Sequence, residues 1–406
     1  MKKILIYIAF ALVALSCVYP FDVETDQVPE KAFVFDGDII LGGWCNIGVS
    51  CMTPFGKSSD SEEEQESYVP DKSWKMTIYC SNGEVYPGFQ LPGGIEKISY
   101  QFDLLEAPLD QQYRLVYEGA DDEGTKVYST PWMSVSIAPV PDDITIEYDS
   151  ANIYLGLKLK GDNEGSRYYR WNYEETYEYH ADFMPDYYLD FSVDLNKRLA
   201  YIEREAPVDP KYYCWAKSNS RESTLISTEN LSENTIASQI FRTISRTSKL
   251  LMEMYRIDVR MKGVSRDGYY FHKTLQANSN TDGSLFAPTP SEMRGNVVSE
   301  QNPSELVLGY VDVITEAVIT KFIDSRYSRW SKPEQELFLP DFNFNPDDPE
   351  AEGYTPLQWY DMGFRPVTVS KESEDGSVYW APSRCVDCTM EGGTKNKPAD
   401  WPTTHE

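Results

Sequence analysis

The amino-acid sequence predicts a mainly β protein: an N-terminal immunoglobulin- or fibronectin-like sandwich, then a larger β-rich domain with short helical insertions. Three observations predict it. The 406 residues include 29 Tyr and 25 Pro, which favours strands and turns over long helices. Apolar residues alternate with polar ones over short runs, and turn signals separate the runs. At 41% hydrophobic and 14% aromatic, the chain has enough apolar material for the cores of two or three domains. No repeat at a fixed period breaks the pattern.

The elements follow in chain order. Residues 1–16 have the marks of an export signal: basic Lys2 and Lys3, an apolar run from Ile4 to Leu15 too short for a membrane span, and small Ser16. Cys17 then stands where a bacterial lipoprotein is cleaved and lipidated, although Ala14 occupies a position where such signals usually carry Leu. Several acyl chains on Cys17 would anchor the protein durably without spanning the bilayer. Residues 17–30 read as an acidic tether. Residues 31–141 form the predicted sandwich. "KAFVFDGDIILGG" is its first strand, and "SWKMTIYCSNGEVYPGFQL" is a hairpin about Asn82-Gly83. "QYRLVYEGADDEGTKVYSTPWMSVSIAP" adds two strands about an Asp-Glu-Gly turn, while "GKSSDSEEEQESYVPDKS" reads as a solvated loop.

Residues 142–340 make the second β-rich domain. Ile144, Ile146 and Tyr148 alternate with polar neighbours, and Leu251, Tyr255, Ile257, Val259 and Met261 fall on one face of a strand. Ser265 is placed to cap a short helix through "RDGYYFHKTLQAN", with Asp267 in its first turn. "ELVLGYVDVITEAVITKFID" reads as strand, turn and strand. Residues 341–406, rich in Pro and aromatic side chains, are expected to pack on the second domain.

The formal charge is −28, and cleavage of Lys2 and Lys3 makes the mature chain more negative still. Such a surface repels nucleic acid and anionic headgroups, so neither is an expected partner. His180, His272 and His405 lie far apart in the chain and outside any HExxH pattern, and no nucleophile elbow, P-loop or dinucleotide fingerprint occurs. A catalytic role is therefore not expected. No cofactor is expected either, apart from a calcium candidate: Asp341, Asn343, Asn345, Asp347 and Glu352 fall at offsets 1, 3, 5, 7 and 12 of an oxygen-ligand loop. Pro346 occupies the position where such loops turn on Gly, and a Pro- and Asn-rich surface turn accounts for the same residues. Arg326 and Arg329 among Tyr327 and Trp330 could offer a stacking face for a sugar or peptide, or simply pack the tail.

Beyond Cys17, six cysteines remain as disulfide candidates: Cys45, Cys51, Cys80, Cys214, Cys385 and Cys388. An even number in an exported chain favours disulfides. A zinc ribbon would need a second CxxC or a His pair, and a thioredoxin motif would open a helix. The C-terminal "CVDC" is thus read as a structural staple, with Cys385 and Cys388 both oxidised.

Five stretches, in order, carry a family resemblance: "LVALSC", "SRYYRWNYEETYEY" at 166–179, "YCW" at 213–215, "RGNVVSEQNPSELVLGYVDV" at 294–313 and "CVDCTMEGGTKNKPADW" at 385–401. With them the chain resembles the Bacteroidota lipoproteins known as domain of unknown function 4249. The resemblance implies that Cys214 belongs with Cys385 and Cys388, and that Cys45, Cys51 and Cys80 are additions. It implies an outer-membrane lipoprotein, lipid-anchored and facing outward. Its partner would be a TonB-dependent transporter, which it serves as an accessory or by capturing a ligand such as a glycan, a peptide or another small molecule. A surface adhesin or structural lipoprotein without a transporter is the alternative. No catalytic residue comes with the resemblance.

Overall fold

The computed structural model describes residues 32–52, 71–92, 97–121, 124–163, 165–279, 295–331, 337–342, 353–370 and 377–402. Strands dominate and helices are few, as the sequence predicts. Two sheets enclose the first core. One runs in the order β21 (Val307–Leu308), β1 (Ala32–Asp36), β3 (Trp44–Met52), β7 (Lys97–Asp103), β6 (Phe89–Gln90). The other runs β20 (Val298–Ser299), β9 (Gly124–Ser129), β8 (Gln112–Asp121), β4 (Lys75–Cys80), β5 (Val85–Pro87), with β10 (Met133–Ser134) beside β8. Alternation along the strands drives their inner faces together: Phe33, Phe35, Ile47, Val49, Met76, Ile78, Tyr100, Phe102, Tyr113 and Tyr117 form one buried cluster. Asn82-Gly83 makes the expected hairpin turn, with Gly83 at positive φ.

A second sandwich follows. Its smaller sheet is β11 (Asp143–Tyr148), β12 (Asn152–Lys160), β18 (Thr235–Ser245). Its larger sheet is β16 (Tyr213–Asn219), β13 (Tyr168–His180), β19 (Met254–Gly263), β22 (Val313–Asp324), β2 (Ile39–Leu41), with β17 (Thr224–Ser227) beside β13. Tyr255, Ile257, Val259 and Met261 all point into the core between them, as predicted, with Trp171 opposite Met261. Leu251 joins that core from a 3₁₀ turn preceding the strand. The predicted helix is present as Arg266–Ser279, and the Ser265 hydroxyl accepts from the Gly268 amide at 3.0 Å.

The two sandwiches exchange strands. "KAFVFDGDIILGG" is two strands rather than one, broken at Gly37: β1 belongs to the first sandwich, and β2 pairs in parallel with β22 of the second. In return, β20 and β21, which the sequence assigns to the second unit, hydrogen bond into the first. Gly37 has φ +135, and a Cβ there would lie 2.6 Å from the Asn46 carbonyl oxygen.

The rest of the chain builds a small unit on the second sandwich. It holds the hairpins β14 (Tyr187–Leu189) with β15 (Tyr201–Glu203) and β23 (Phe364–Val369) with β24 (Val378–Pro382), and the helix Pro356–Asp361. From there residues 383–402 run as a strap across β16 and β13. Trp215 pairs with Thr394, and the Trp401 indole donates to Glu178 at 3.0 Å.

The strap corrects the cysteine reading. Cys388 is bonded to Cys214, not to Cys385. The two ends of the CxxC face different cores: Cys388 packs with Tyr179, Ala181 and Cys214, while Cys385 packs with Val367, Ala381 and Val386. Cys45, Cys51, Cys80 and Cys385 stand as thiols, contrary to the expectation of a disulfide for each. In the first sandwich every such cysteine has an aromatic ladder partner, Phe102, Phe33 and Tyr113 respectively for Cys45, Cys51 and Cys80, so no two of them are paired across a ladder.

Candidate functional site

The strand exchange leaves a cleft of about 670 Å³ between the outer face of the first sandwich and the helix-bearing face of the second. Its floor is Asp38, buried two residues after β1 ends, at the point where the chain crosses between sandwiches. Arg170 and Lys262 are register partners on β13 and β19, so two cations stand side by side. Asp38 neutralises them: it accepts from the Arg170 guanidinium and from Lys262 Nζ at 3.1 Å. Burial alone would raise the Asp38 pKa, but Arg170 and Lys262 together hold it below the usual carboxylate value.

The helix Arg266–Ser279 supplies the opposite wall through Phe271 and His272. His272 Nε2 contacts the Arg170 guanidinium. Burial, and then the charge of Arg170, push the His272 pKa down to about 4, so the ring is neutral at pH 7 and Nε2 can accept from Arg170. Asp312 fixes the start of this helix. Its carboxylate accepts from the Ser265 amide at 2.7 Å and the Val313 amide at 3.1 Å, and burial raises its pKa to about 6. Gly309, at φ +91, lets the segment before Asp312 lie against β1: a Cβ there would be 1.8 Å from the Phe35 carbonyl oxygen.

At the mouth Lys97 pairs with Asp36, and Tyr310 and Leu308 add apolar surface. The result is a hollow with largely apolar walls and a positively biased cluster of charged groups, in a chain of net charge −28. Its groups suit the retention of a small ligand with polar or anionic character.

Of the residues singled out in the sequence, only His272 reaches this cleft. His180 lies elsewhere, stacked on Tyr212 at 4.9 Å with Trp330 edge-on at 5.5 Å. Tyr327 packs on Tyr148, and Arg326 pairs with Asp324, so that aromatic and basic segment serves packing. Asp341 is exposed, while Cys17, Asn343, Asn345, Asp347, Glu352 and His405 lie outside the described residues. Among the described residues no three His, Cys, Asp or Glu side chains gather as a metal site. No helix among them is long and apolar enough to cross a membrane. Sequence reasoning missed Asp38, Arg170, Lys262 and Asp312. The available signal was a charge inside an otherwise apolar run, as in "VFDGDIILGG" and "RYYRWNY".

A family model described as Domain of unknown function (DUF4249) matches residues 18–320. The chain belongs to this family. The DUF4249 match spans both sandwiches and every residue of the cleft just described, and it ends before the strap that carries Cys388. No curated protein matches the chain. Among solved structures it is similar to a DUF4785 family protein from Legionella pneumophila subsp. pneumophila str. Philadelphia 1, at 6% identity over 58% of this chain and 54% of that chain, with a TM-score of 0.20. It is also similar to DIP-gamma IG1+IG2, at 10% identity over 70% of this chain and 98% of that chain, with a TM-score of 0.17. The match thus spans about half the length of the Legionella protein, and neither likeness extends to a shared overall arrangement.

Proposed function

We propose that this protein is a lipid-anchored lipoprotein of the outer membrane that captures a small ligand at the cell surface and serves a TonB-dependent transporter, without catalysing a reaction. The observation that carries the reading is the cleft of about 670 Å³, in which Arg170 and Lys262 converge on Asp38 and His272 contacts Arg170. The site is large enough for a small ligand and sets a few fixed polar groups among apolar walls. The anchor rests on Cys17 behind an export signal, and the transporter rests on the resemblance to the Bacteroidota lipoproteins. A lipid on Cys17 would concentrate the cleft beside a membrane barrel. The experiment is an affinity pull-down of the native protein from outer membranes in mild detergent, with mass spectrometry of what co-purifies. A TonB-dependent barrel in near-equal amount supports the proposal, and a protein that emerges alone refutes the partnership. The adhesin reading would then lead. It draws on Trp44 and Phe89, 61% and 68% exposed and flanking Gln101 and Asp103 on the outer face of the first sandwich.

A further inference from the structure

A second hollow, of about 430 Å³, lies in the small C-terminal unit, walled by β14 and its following turn, β23 and the strap. Its lip is aromatic. Phe191 is 58% exposed and meets the Tyr360 ring edge-on at 5.1 Å, and Tyr188 lines the same space. Exposed rings around a concavity offer flat apolar faces at low cost in side-chain entropy.

The charges in this hollow are unevenly committed. Asp209 accepts from the Tyr188 hydroxyl and from the Lys211 amide at 2.6 Å. Asp387 accepts from Lys211 Nζ at 2.8 Å and from the Thr389 amide at 3.1 Å. Both acids are therefore occupied by the protein. Arg365 is held differently. Its guanidinium lies 3.5 Å from the Tyr360 ring centroid, and Nη1 donates to the Tyr360 and Phe364 carbonyls at 2.7 Å each. It makes no ion pair among the described residues, and burial lowers its pKa. Lys395, exposed on the strap, lines the same hollow and likewise makes no ion pair among the described residues. A fixed, partly desolvated guanidinium that forms no ion pair with the nearby acids Asp387 and Asp361, beside a second cation and two rings, is a receptor for a carboxylate on a flat body.

We propose that this hollow binds a small carboxylate carried on a ring, with Arg365 and Lys395 taking the carboxylate and Phe191 and Tyr188 the ring face. Such a group comes from two sources, a sugar acid at the end of a glycan or an aryl acid. The proposal adds a second site to the cleft of the ligand-capture reading and rests on that reading for its biological sense. Its test involves no transporter, so the two fail separately.

The test is calorimetric titration of the mature protein with glucuronic acid and with 3-phenylpropionate, each against its neutral counterpart, glucose and 3-phenylpropanol. At least one carboxylate should bind roughly tenfold or more tightly than its neutral partner, since a charge-assisted hydrogen bond carries that much discrimination. Binding of glucuronic acid alone assigns the sugar source, and binding of 3-phenylpropionate alone assigns the aryl source. Arg365→Gln should weaken binding by about tenfold, and Lys395→Gln and Phe191→Ala by a few-fold each. The last two side chains are exposed, so their variants keep the fold even if Arg365→Gln does not. Equal binding of neutral and charged probes, no carboxylate binding at millimolar concentration, or unchanged affinity in both Lys395→Gln and Phe191→Ala overturns the proposal.

Discussion

Removing the Cys214–Cys388 bond is the perturbation whose size follows most directly from the structure. The bond links residues 174 apart, so in the unfolded chain it closes a very large loop. Loop-closure entropy grows with the logarithm of loop length, and at this separation it amounts to ~5 kcal/mol at 25 °C. That is comparable to the whole stability of many domains. The folded strap keeps other contacts: the Tyr179 hydroxyl donates to the Cys388 carbonyl at 2.7 Å, Lys249 pairs with Glu391, and Trp401 packs on Phe322. The variant Cys214→Ala/Cys388→Ala should therefore fold, but unfold at distinctly lower urea, and the wild type under reductant should behave alike. A double variant is required because a single one leaves a thiol able to pair with Cys385. Urea denaturation with and without reductant measures the shift, and non-reducing peptide mapping should recover Cys214 joined to Cys388 with Cys385 as a thiol. An unchanged urea midpoint in both the variant and the reduced protein, or a Cys385–Cys388 peptide, would refute the reasoning.

Three further outcomes follow from the cleft and the core. Asp38→Asn leaves Arg170 and Lys262 adjacent without a counter-charge and should cost about 3–5 kcal/mol in denaturant unfolding; a loss well under 1 kcal/mol would mean that water already screens the cluster. His272, with its folded pKa near 4 against an ordinary 6.5, contributes stability above pH 6.5 that is lost as pH falls toward 4, up to ~3 kcal/mol. Asp312 has the opposite sign, because its pKa is raised from 3.8 to about 6, so the folded chain holds its proton and its contribution falls as pH rises through that window. His272→Gln should therefore unmask a stability that declines from pH 4 to 6, and a profile identical to wild type would count against both assignments. Trp171→Ala, at the centre of the second core, should cost about 3–5 kcal/mol by the same measurement.

What the sequence revealed, and what it hid, divides by range. The Asn82-Gly83 hairpin, the Ser265 cap and the inward set from Tyr255 to Met261 are local, because each is decided by a turn residue, a hydroxyl or a period of two within a few positions. The pairing of β2 with β22, and of β1 with β21, joins strands more than two hundred residues apart. Nothing within either strand announces such a pairing, and an apolar run through Gly37 looks continuous until the turn separates it. Cysteine pairing is long-range in the same way: spacing alone does not choose a partner for Cys388, whereas the family resemblance groups Cys214 with the terminal pair, and the bond joins Cys388 to Cys214 on β16. The cleft was hidden twice over. Arg170 and Lys262 alternate with core residues in ordinary strand fashion, and only the register of β13 with β19 sets them side by side above Asp38.

The strand exchange also decides how the cleft can work. Several covalent crossings join the sandwiches, among them one through Gly37 and Asp38 and another through the residues between β21 and β22. The Ile39 amide donates to the Asp312 carbonyl at 2.9 Å, tying these two crossings to each other, and β2 adds a parallel ladder to β22. Residues 136 and 315 bind the connection between the sandwiches to the same edge, with the Ser136 amide donating to Val313 at 2.8 Å and the Thr315 amide to Ser136 at 3.1 Å. Opening the cleft as a hinge would break this ladder and separate Asp38 from both of its cations. Under the proposed function a ligand would enter a preformed hollow, which lowers the ordering cost of binding. Hydrogen exchange measures this directly. The amides of Ile39, Ile40 and Leu41 should exchange as slowly as those of β22, and in the same cooperative step. Fast exchange at 39–41 beside a protected β22 would show that the sandwiches part readily, and the cleft would then be a hinged site rather than a rigid one.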